Sequence, residues 1–346
     1  MYQRYAIRRI LDGILVYAVI VLALSALFNS VADRTVRALI DEEVRQSMSK
    51  MKGVRPEDFQ LAFQSRVRER ERAYWLDRPV GERIARRTVA TLTFDFGKST
   101  IVKSSAGSRE VAAIIGEALP RTLLLFTTEA ILVVTLGVAL GLRMARRPGG
   151  PLDRATSLAT MIVYGMPSWW VGMILIMLFV YIVPVFPSGG LHTLPPLTGF
   201  ARLLDVAWHM VLPLATLVLI GFWGTALVVR NIVLGVLQED FVMAARARGI
   251  PERKVLRGHT LRTAAPPVAT MAILMLVGSL GGNLVFEGIF SWPGLGNLYW
   301  IALQQMDVPL VLGLLSVTTG LYVFALVLLD LAYGFLDPRI KTGGAA

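Results

Sequence analysis

LLLFTTEAILVVTLGVALGL occupies Leu123–Leu142, and its 20 residues carry a single charge, Glu129. Coiled as an α-helix, such a run is about 30 Å long, the thickness of a bilayer's hydrocarbon core. Five other stretches match it or nearly so: about Ile10 to Phe28, Leu158 to Val183, about Val206 to Val229, Val268 to about Val285, and Val308 to Leu329. Only helices satisfy their own backbone groups within one such segment in lipid. The whole chain of 346 residues is 55% hydrophobic and 17% charged, with mean hydropathy +0.60. A soluble domain carries about 25% charge. The deficit excludes a disordered chain and argues against a soluble enzyme. The expectation is an all-α integral membrane protein with six transmembrane helices.

Basic residues orient those spans. Arg4, Arg8 and Arg9 precede the first, and no small-residue cleavage site closes it before Asn29, so it reads as an uncleaved helix. Four basic residues separate spans two and three, one separates three and four, seven separate four and five, and none separates five and six; Arg339 and Lys341 follow the last. The positive-inside rule then places both termini and the loops near residues 148 and 250 in the cytoplasm of a multi-pass cell-membrane protein. The long first loop holds 18 basic residues, Arg34 to Arg121, but long loops translocate largely regardless of charge. The expected division is 1–30 for the N-terminal end and first span, 31–120 for an extracytoplasmic insertion, and 121–346 for a five-helix core with a cytoplasmic loop at about 231–266. The net charge of +11 thus belongs to topology and a lipid bilayer, and no nucleic-acid partner is expected.

Two helical patterns appear in the insertion. Val36, Leu39, Ile40 and Val44 recur at helical spacing. Pro56, Glu57 and Asp58 suit a helix start, and Phe59, Phe63 and Val67 then share one face. These helices suit either a cap on the membrane domain or a contact surface for an outside partner.

Motifs of chemistry are missing. No G-x-x-x-x-G-K-[ST], H-E-x-x-H or G-x-S-x-G occurs, and there is no cysteine. His192, His209 and His259 are far apart in the chain. No catalytic residue, metal site or resident cofactor is expected. Glu129 is costly in lipid, so it either lines a polar path, bonds a neighbouring hydroxyl or sits near the outer interface. Gly278, Gly281 and Gly282 favour close helix approach in the fifth span. Pro167 and Pro213 should kink the third and fourth spans. Ser279, Asn283, Glu287 and the Trp292-Pro293-Gly294 loop are polar or irregular groups near the outer end of the glycine-rich span, hence candidates for a path or outer gate, with Glu129.

The segment between the fourth and fifth spans reads EDFVMAARARGIPERKV over Glu239–Val255. Glu239 and Asp240 suit a helix N-terminus, and the alanines and arginines that follow are strong helix formers. Gly249 ends the helix where a positive φ is cheap, and Pro251 with Glu252 opens a second. The result is helix, sharp turn, helix. Its alanines make a slim knob for a cleft in another protein; an amphipathic hairpin on anionic lipid is the competing reading.

This loop resembles the coupling loop of ABC importer permeases, whose pattern is E-A-A, three residues, Gly. The match is Met243-Ala244-Ala245, three residues, Gly249, with Met243 in place of the acid. Glu239 to Gly249 also resembles the E-D-Y-V-x-x-A-R-A-x-G of peptide-importer permeases, with Phe241 for Tyr. Leu76-Asp77-Arg78-Pro79, Leu119-Pro120-Arg121-Thr122-Leu123, Met166-Pro167-Ser168-Trp169-Trp170, Phe286 to Gly296 and Leu336-Asp337-Pro338-Arg339 are similar to further family stretches in the family's order. Residues 34–73 look like an added piece. The resemblance implies a type I ABC importer permease fold and the first-permease, B-type, subunit of the oligopeptide/dipeptide/nickel class. It implies a second homologous permease, two ATPase subunits holding ATP and Mg, and an extracytoplasmic solute-binding protein. Coupling would fall to Glu239, Asp240, Phe241, Ala244, Ala245, Arg246, Ala247 and Gly249. Peptides are the default cargo; nickel chelates, glutathione or short sugars are alternatives. A secondary carrier would need inverted repeats and embedded acids, of which only Glu129 is seen. A membrane-anchored sensor would use residues 31–120 and would not need the alanine-rich loop.

Overall fold

The computed structural model describes residues 2–49 and 56–336; Asp337, Pro338, Arg339 and Lys341 lie outside them. In chain order the helices are α1 (Tyr2–Leu27), α2 (Asn29–Met48), α3 (Pro56–Ala73), α4 (Val80–Leu92), α5 (Val111–Arg146), α6 (Pro151–Tyr164) and α7 (Ser168–Ile176). They continue as α8 (Gly199–Leu237), α9 (Asp240–Ala247), α10 (Glu252–Lys254), α11 (Leu261–Gly278), α12 (Leu284–Ile289), α13 (Leu295–Gln304) and α14 (Val308–Leu336). Among the described residues no β-strand forms; Lys98 and Glu110 share one isolated bridge.

Among the described residues five helices are long and apolar enough to cross a membrane, six when one bent pair counts as a single span. That pair corrects the expected third span. Instead of one kinked helix, Pro151–Tyr164 and Ser168–Ile182 meet at 95°. Gly165 and Pro167 interrupt hydrogen bonding there, because proline lacks the donor and disfavours helix at the residue before it. Pro213 sits buried inside α8, which continues past it without a break. The fifth span begins earlier than expected, at Leu261, and ends at Gly281.

The chain divides into two compact units, Met1–Glu117 with Ile301–Ala346, and Ala118–Trp300. In the first, α1 packs along α14 and α4 packs along α1. Arg9 pairs with Asp330 at 3.4 Å, and the Tyr5 hydroxyl donates to the Asp330 carbonyl. The two apolar faces read from the insertion meet each other: Ile40, Val44, Met48 and Leu76 form a buried cluster backed by Val36, Phe59, Phe63 and Val67. Helix α4 escaped the periodicity because part of its buried stripe is polar, with Thr88 and Thr91 inside. Asp307, fully buried, accepts from the Ser99 hydroxyl, from the Thr100 and Ile101 amides at 3.1 and 3.2 Å, and from Leu310 N–H at the start of α14.

Asp33 on α2 accepts from Arg83 and Arg87 of α4 and from Asn29. Both arginines are largely buried, so removing the acid strands two cations. Breaking a buried pair costs more than the pair itself contributes. Asp33→Ala is expected to destabilise this unit by about 2–3 kcal/mol, below the fully buried case because Arg87 keeps some access to water. Thermal unfolding of the detergent-purified chain, read by near-ultraviolet circular dichroism, checks it; an unchanged midpoint would refute it.

In the second unit, Leu125, Phe126, Met210, Leu212, Phe286, Phe290 and Trp292 form a buried cluster, joined by Leu175, Ile176 and Phe179. Nearer the α9 end, Ala145, Val229, Val233 and Ala264 tie α5, α8 and α11 together. Gly137 and Gly141, one turn apart on α5, lie against Thr225, Ala226 and Val229 of α8. A Cβ on Gly141 would stand 2.5 Å from the Ala226 carbonyl oxygen. A close small-residue contact of α5 on α8 therefore lies here. In the cluster read from the fifth span, a Cβ at Gly278 or Gly281 meets nothing within 4 Å, but one at Gly282 would stand 2.6 Å from Glu287 Oε1 and 2.9 Å from Thr122 Cγ2.

Candidate functional site

The hairpin after α8 is built as its residues dictate. Glu239, extended at φ −69° and ψ 144°, precedes α9. Gly249 takes φ +74°, where an L side chain is strained, and its amide donates to the Arg246 carbonyl at 2.9 Å. Pro251 sets the restart into α10, a wide turn over Val255–Thr260, and α11. Val242, Ala245 and Val255 are buried inside the hairpin with Leu237 and Ile250 against them. Arg246 closes it from outside, donating from Nε and Nη2 to Glu252 at 3.1 and 2.7 Å. That guanidinium holds the Glu252 carboxyl below the usual carboxylate range. A depressed carboxyl keeps its contribution above its unfolded pKa and loses it as pH falls through the folded one, so the link is intact at neutral pH.

The eight residues read as a coupling set therefore separate by environment. Glu239, Asp240, Phe241, Ala244, Ala247 and Gly249 are exposed, as is Met243. Ala245 is only 3% exposed; it holds the hairpin together and offers no surface to a partner. Arg246 spends its fork on Glu252. Beside the turn lies an open cleft of about 820 Å³ whose basic residues are Arg248, Arg253 and Lys254.

The path candidates fall into four places. Ser279 is buried; its hydroxyl donates to the Leu276 carbonyl at 2.7 Å and lies 3.3 Å from the Thr127 hydroxyl. Asn283 is exposed and caps α12, accepting from Phe286 N–H at 3.0 Å. Glu287, Trp292, Pro293 and Gly294 form one knot with Arg121 and Thr122. Glu287 accepts from the Thr122 hydroxyl at 3.1 Å and from Gly296 and Asn297 N–H at 2.9 and 3.2 Å. The Trp292 indole donates to the Arg121 carbonyl, and the Arg121 guanidinium donates to the Pro293 carbonyl. Glu287 and Trp292 are both 0% exposed, so neither lines an open path within this chain. The carboxylate instead closes the start of α13, where unpaired amides favour negative charge. Glu129 is half-buried on α5 beside Gly221 and has no hydrogen-bond partner among the described residues.

The knot was half legible. Arg121 and Thr122 were read only as the opening of a span, and nothing local marks a threonine that bonds 165 residues away. Glu287→Met, close in volume, is expected to strand one hydroxyl and two amides and cost about 2–3 kcal/mol. The same thermal measurement tests this, and a midpoint equal to the parent's would count against the knot. Among the described residues no group of three His, Asp or Glu is placed to hold a metal ion.

The family model described as binding-protein-dependent transport system inner membrane component matches residues 137–342. The chain is 35% identical over 247 residues to the oligopeptide transport system permease protein AppB of Bacillus subtilis, covering 71% of this chain and 76% of the relative. It is 32% identical to the peptidoglycan transport system permease protein YejB of Agrobacterium fabrum, over 85% of this chain and 80% of the relative. The dipeptide transport system permease protein DppB of Escherichia coli K12 is 33% identical over 64% of this chain and 70% of its own length.

Proposed function

The chain belongs to the family of binding-protein-dependent transport system inner membrane components, and from that premise we propose that it is one permease half of an ATP-driven importer of peptides. The observation that carries the reading is the α9 hairpin with its Gly249 turn, inserted between the fourth and fifth spans of a chain without a phosphate-cradling loop. ATP and Mg sit on two partner ATPases. A second, related permease completes the path, and a binding protein delivers cargo from outside. Charge asymmetry supports cytoplasmic termini and a cytoplasmic hairpin in the cell membrane, with the α2–α4 insertion on the far side.

In this mechanism the chain performs no covalent chemistry. Closure of the ATPases on nucleotide moves a cleft into which the exposed face of α9 fits: Phe241, Met243, Ala244 and Ala247. The hairpin core and the Arg246–Glu252 pair make α9 and the start of α11 move as one piece, so the push reaches the spans as rearrangement. Relatives named for oligopeptide and dipeptide transport support the cargo class. YejB, which covers more of this chain, favours peptidoglycan pieces as a second cargo.

The test is to co-express this chain with whatever permease, ATPase and binding-protein genes lie beside its own, purify through a tag on this chain, and identify bound solute by mass spectrometry. Cross-linking from a cysteine at Ala247 should capture an ATPase. A complex with no ATPase, or cross-links from Ala247 to lipid alone, would overturn the reading.

A further inference from the structure

Asp153, the third residue of α6, is 3% exposed. Its carboxylate accepts a two-pronged bond from Arg230 of α8, Nε to Oδ1 at 2.6 Å and Nη2 to Oδ2 at 2.7 Å, and a third bond from Gly149 N–H at 2.8 Å. Seven residues further along α6, the Thr160 hydroxyl reaches the Trp223 carbonyl, seven residues back along α8. The two helices are thus laced antiparallel over two turns, and they pack together along that length. At its far end α6 is severed from α7 by the bend at Gly165–Pro167. Arg230 lies two turns before the end of α8, which passes through Gln238 and Glu239 into α9.

We propose that the Asp153–Arg230 clamp is a positioning pair for transport: it makes α6 travel with the α9 end of α8, so that the bend at Gly165–Pro167 flexes when the hairpin is pushed. The inference rests on the coupling role of α9 proposed above. A planar guanidinium held on both prongs, with Gly149 N–H adding a third bond to the same carboxylate, leaves little freedom for the helices to slide or roll. The bend has no side-chain clamp of this kind within the described residues. A displacement entering at α9 therefore concentrates there rather than between α6 and α8. This also gives a reason for a broken span in a gated protein: the break is the joint, and the ion pair is the pin that keeps the lever rigid.

The chain has no native cysteine, so pairs introduced for labelling stand alone in it. In the complete complex, spin labels at Leu158→Cys and Val228→Cys report α6 against α8, and labels at Leu158→Cys and Trp170→Cys report α6 against α7. Trapping the ATPases with ATP should leave the first distance unchanged and shift the second. A first distance that changes as much as the second, or two distances that both ignore nucleotide, would overturn the proposal. In the same complex Arg230→Lys keeps the charge but loses the fork. It should lower peptide uptake per ATP hydrolysed by about tenfold while hydrolysis itself stays near the parent rate, and the exchanged pair Asp153→Arg with Arg230→Asp should recover part of the loss. An assembled Arg230→Lys complex with the parent's uptake ratio refutes the pin, and so does a parallel fall of uptake and hydrolysis. Gly249→Val run alongside separates the two ideas, because normal uptake in that variant strikes at the hairpin reading itself.

Discussion

Gly249→Val is expected to cut ATP-driven peptide uptake at least about tenfold in reconstituted vesicles, while the assembled complex goes on hydrolysing ATP. Space is not the issue, since a Cβ at this position meets nothing within 4 Å. Conformation is: φ is +74°, and a left-handed backbone costs an L residue roughly 1–2 kcal/mol, more when it is β-branched. That cost is comparable to tenfold in population, since each 1.4 kcal/mol is one decade. The valine relieves it by opening the turn, which tilts α9 away from the start of α11 and misdirects Phe241, Ala244 and Ala247. The hairpin's apolar core of Val242, Ala245 and Val255 stays available, so the spans remain folded. Gly249→Asn is the control, because asparagine tolerates the left-handed region and should keep most uptake. Valine and asparagine variants that transport equally well at the parent's rate would show that the turn angle does not matter.

The membrane class and the hairpin were legible because both are written in local pattern. Twenty apolar residues in a row mean a span whatever surrounds them, and a helix former run ending in Arg248-Gly249 with Pro251 beyond means helix, turn, helix. The α2 and α3 faces were legible for the same reason: Val36 to Val44 and Phe59 to Val67 keep helical period, and the structure packs them together. What escaped depends on partners distant in the chain. Asp153 and Arg230 lie 77 residues apart, and Asp307 meets Ser99 across 208. Each residue alone reads as an ordinary loop or helix-end charge. Glu287 reads from the sequence as a polar group near the outer end of the glycine-rich span, but the donors that enclose it come from Thr122 and from the start of α13, and only the fold shows that it is filled rather than open. Ala245 carries the same lesson at short range, since the motif that marks the hairpin contains a residue that is inside it.

The glycines at the crossing of α5 on α8 carry the largest expected loss of stability, and local reading does not single them out. Of the visible cluster of Gly278, Gly281 and Gly282, Gly282 lies close against Thr122 and Glu287, but the α5–α8 crossing uses Gly137 and Gly141, one turn apart. A Cβ on Gly137 would stand 2.5 Å from Cγ2 and 2.7 Å from Cβ of the buried Thr225, with the Ala226 amide nitrogen at 3.3 Å. On Gly141 the obstacle is the Ala226 carbonyl oxygen at 2.5 Å with Val229 Cβ at 2.8 Å, and backbone cannot rotate away. Gly141→Leu must therefore push α8 bodily from α5. That movement also opens the cluster of Ala145, Val229, Val233 and Ala264 and adds cavity to clash. The expected cost is about 4–5 kcal/mol, at the severe end for a single substitution and enough to empty the membrane of folded chain. Gly137→Ala and Gly141→Ala are both expected to destabilise and Gly141→Leu to be lost altogether, read as folded yield and thermal midpoint in detergent. Gly141→Leu accumulating at the parent's level with the parent's midpoint would mean that the two helices do not touch backbone to side chain where this crossing places them.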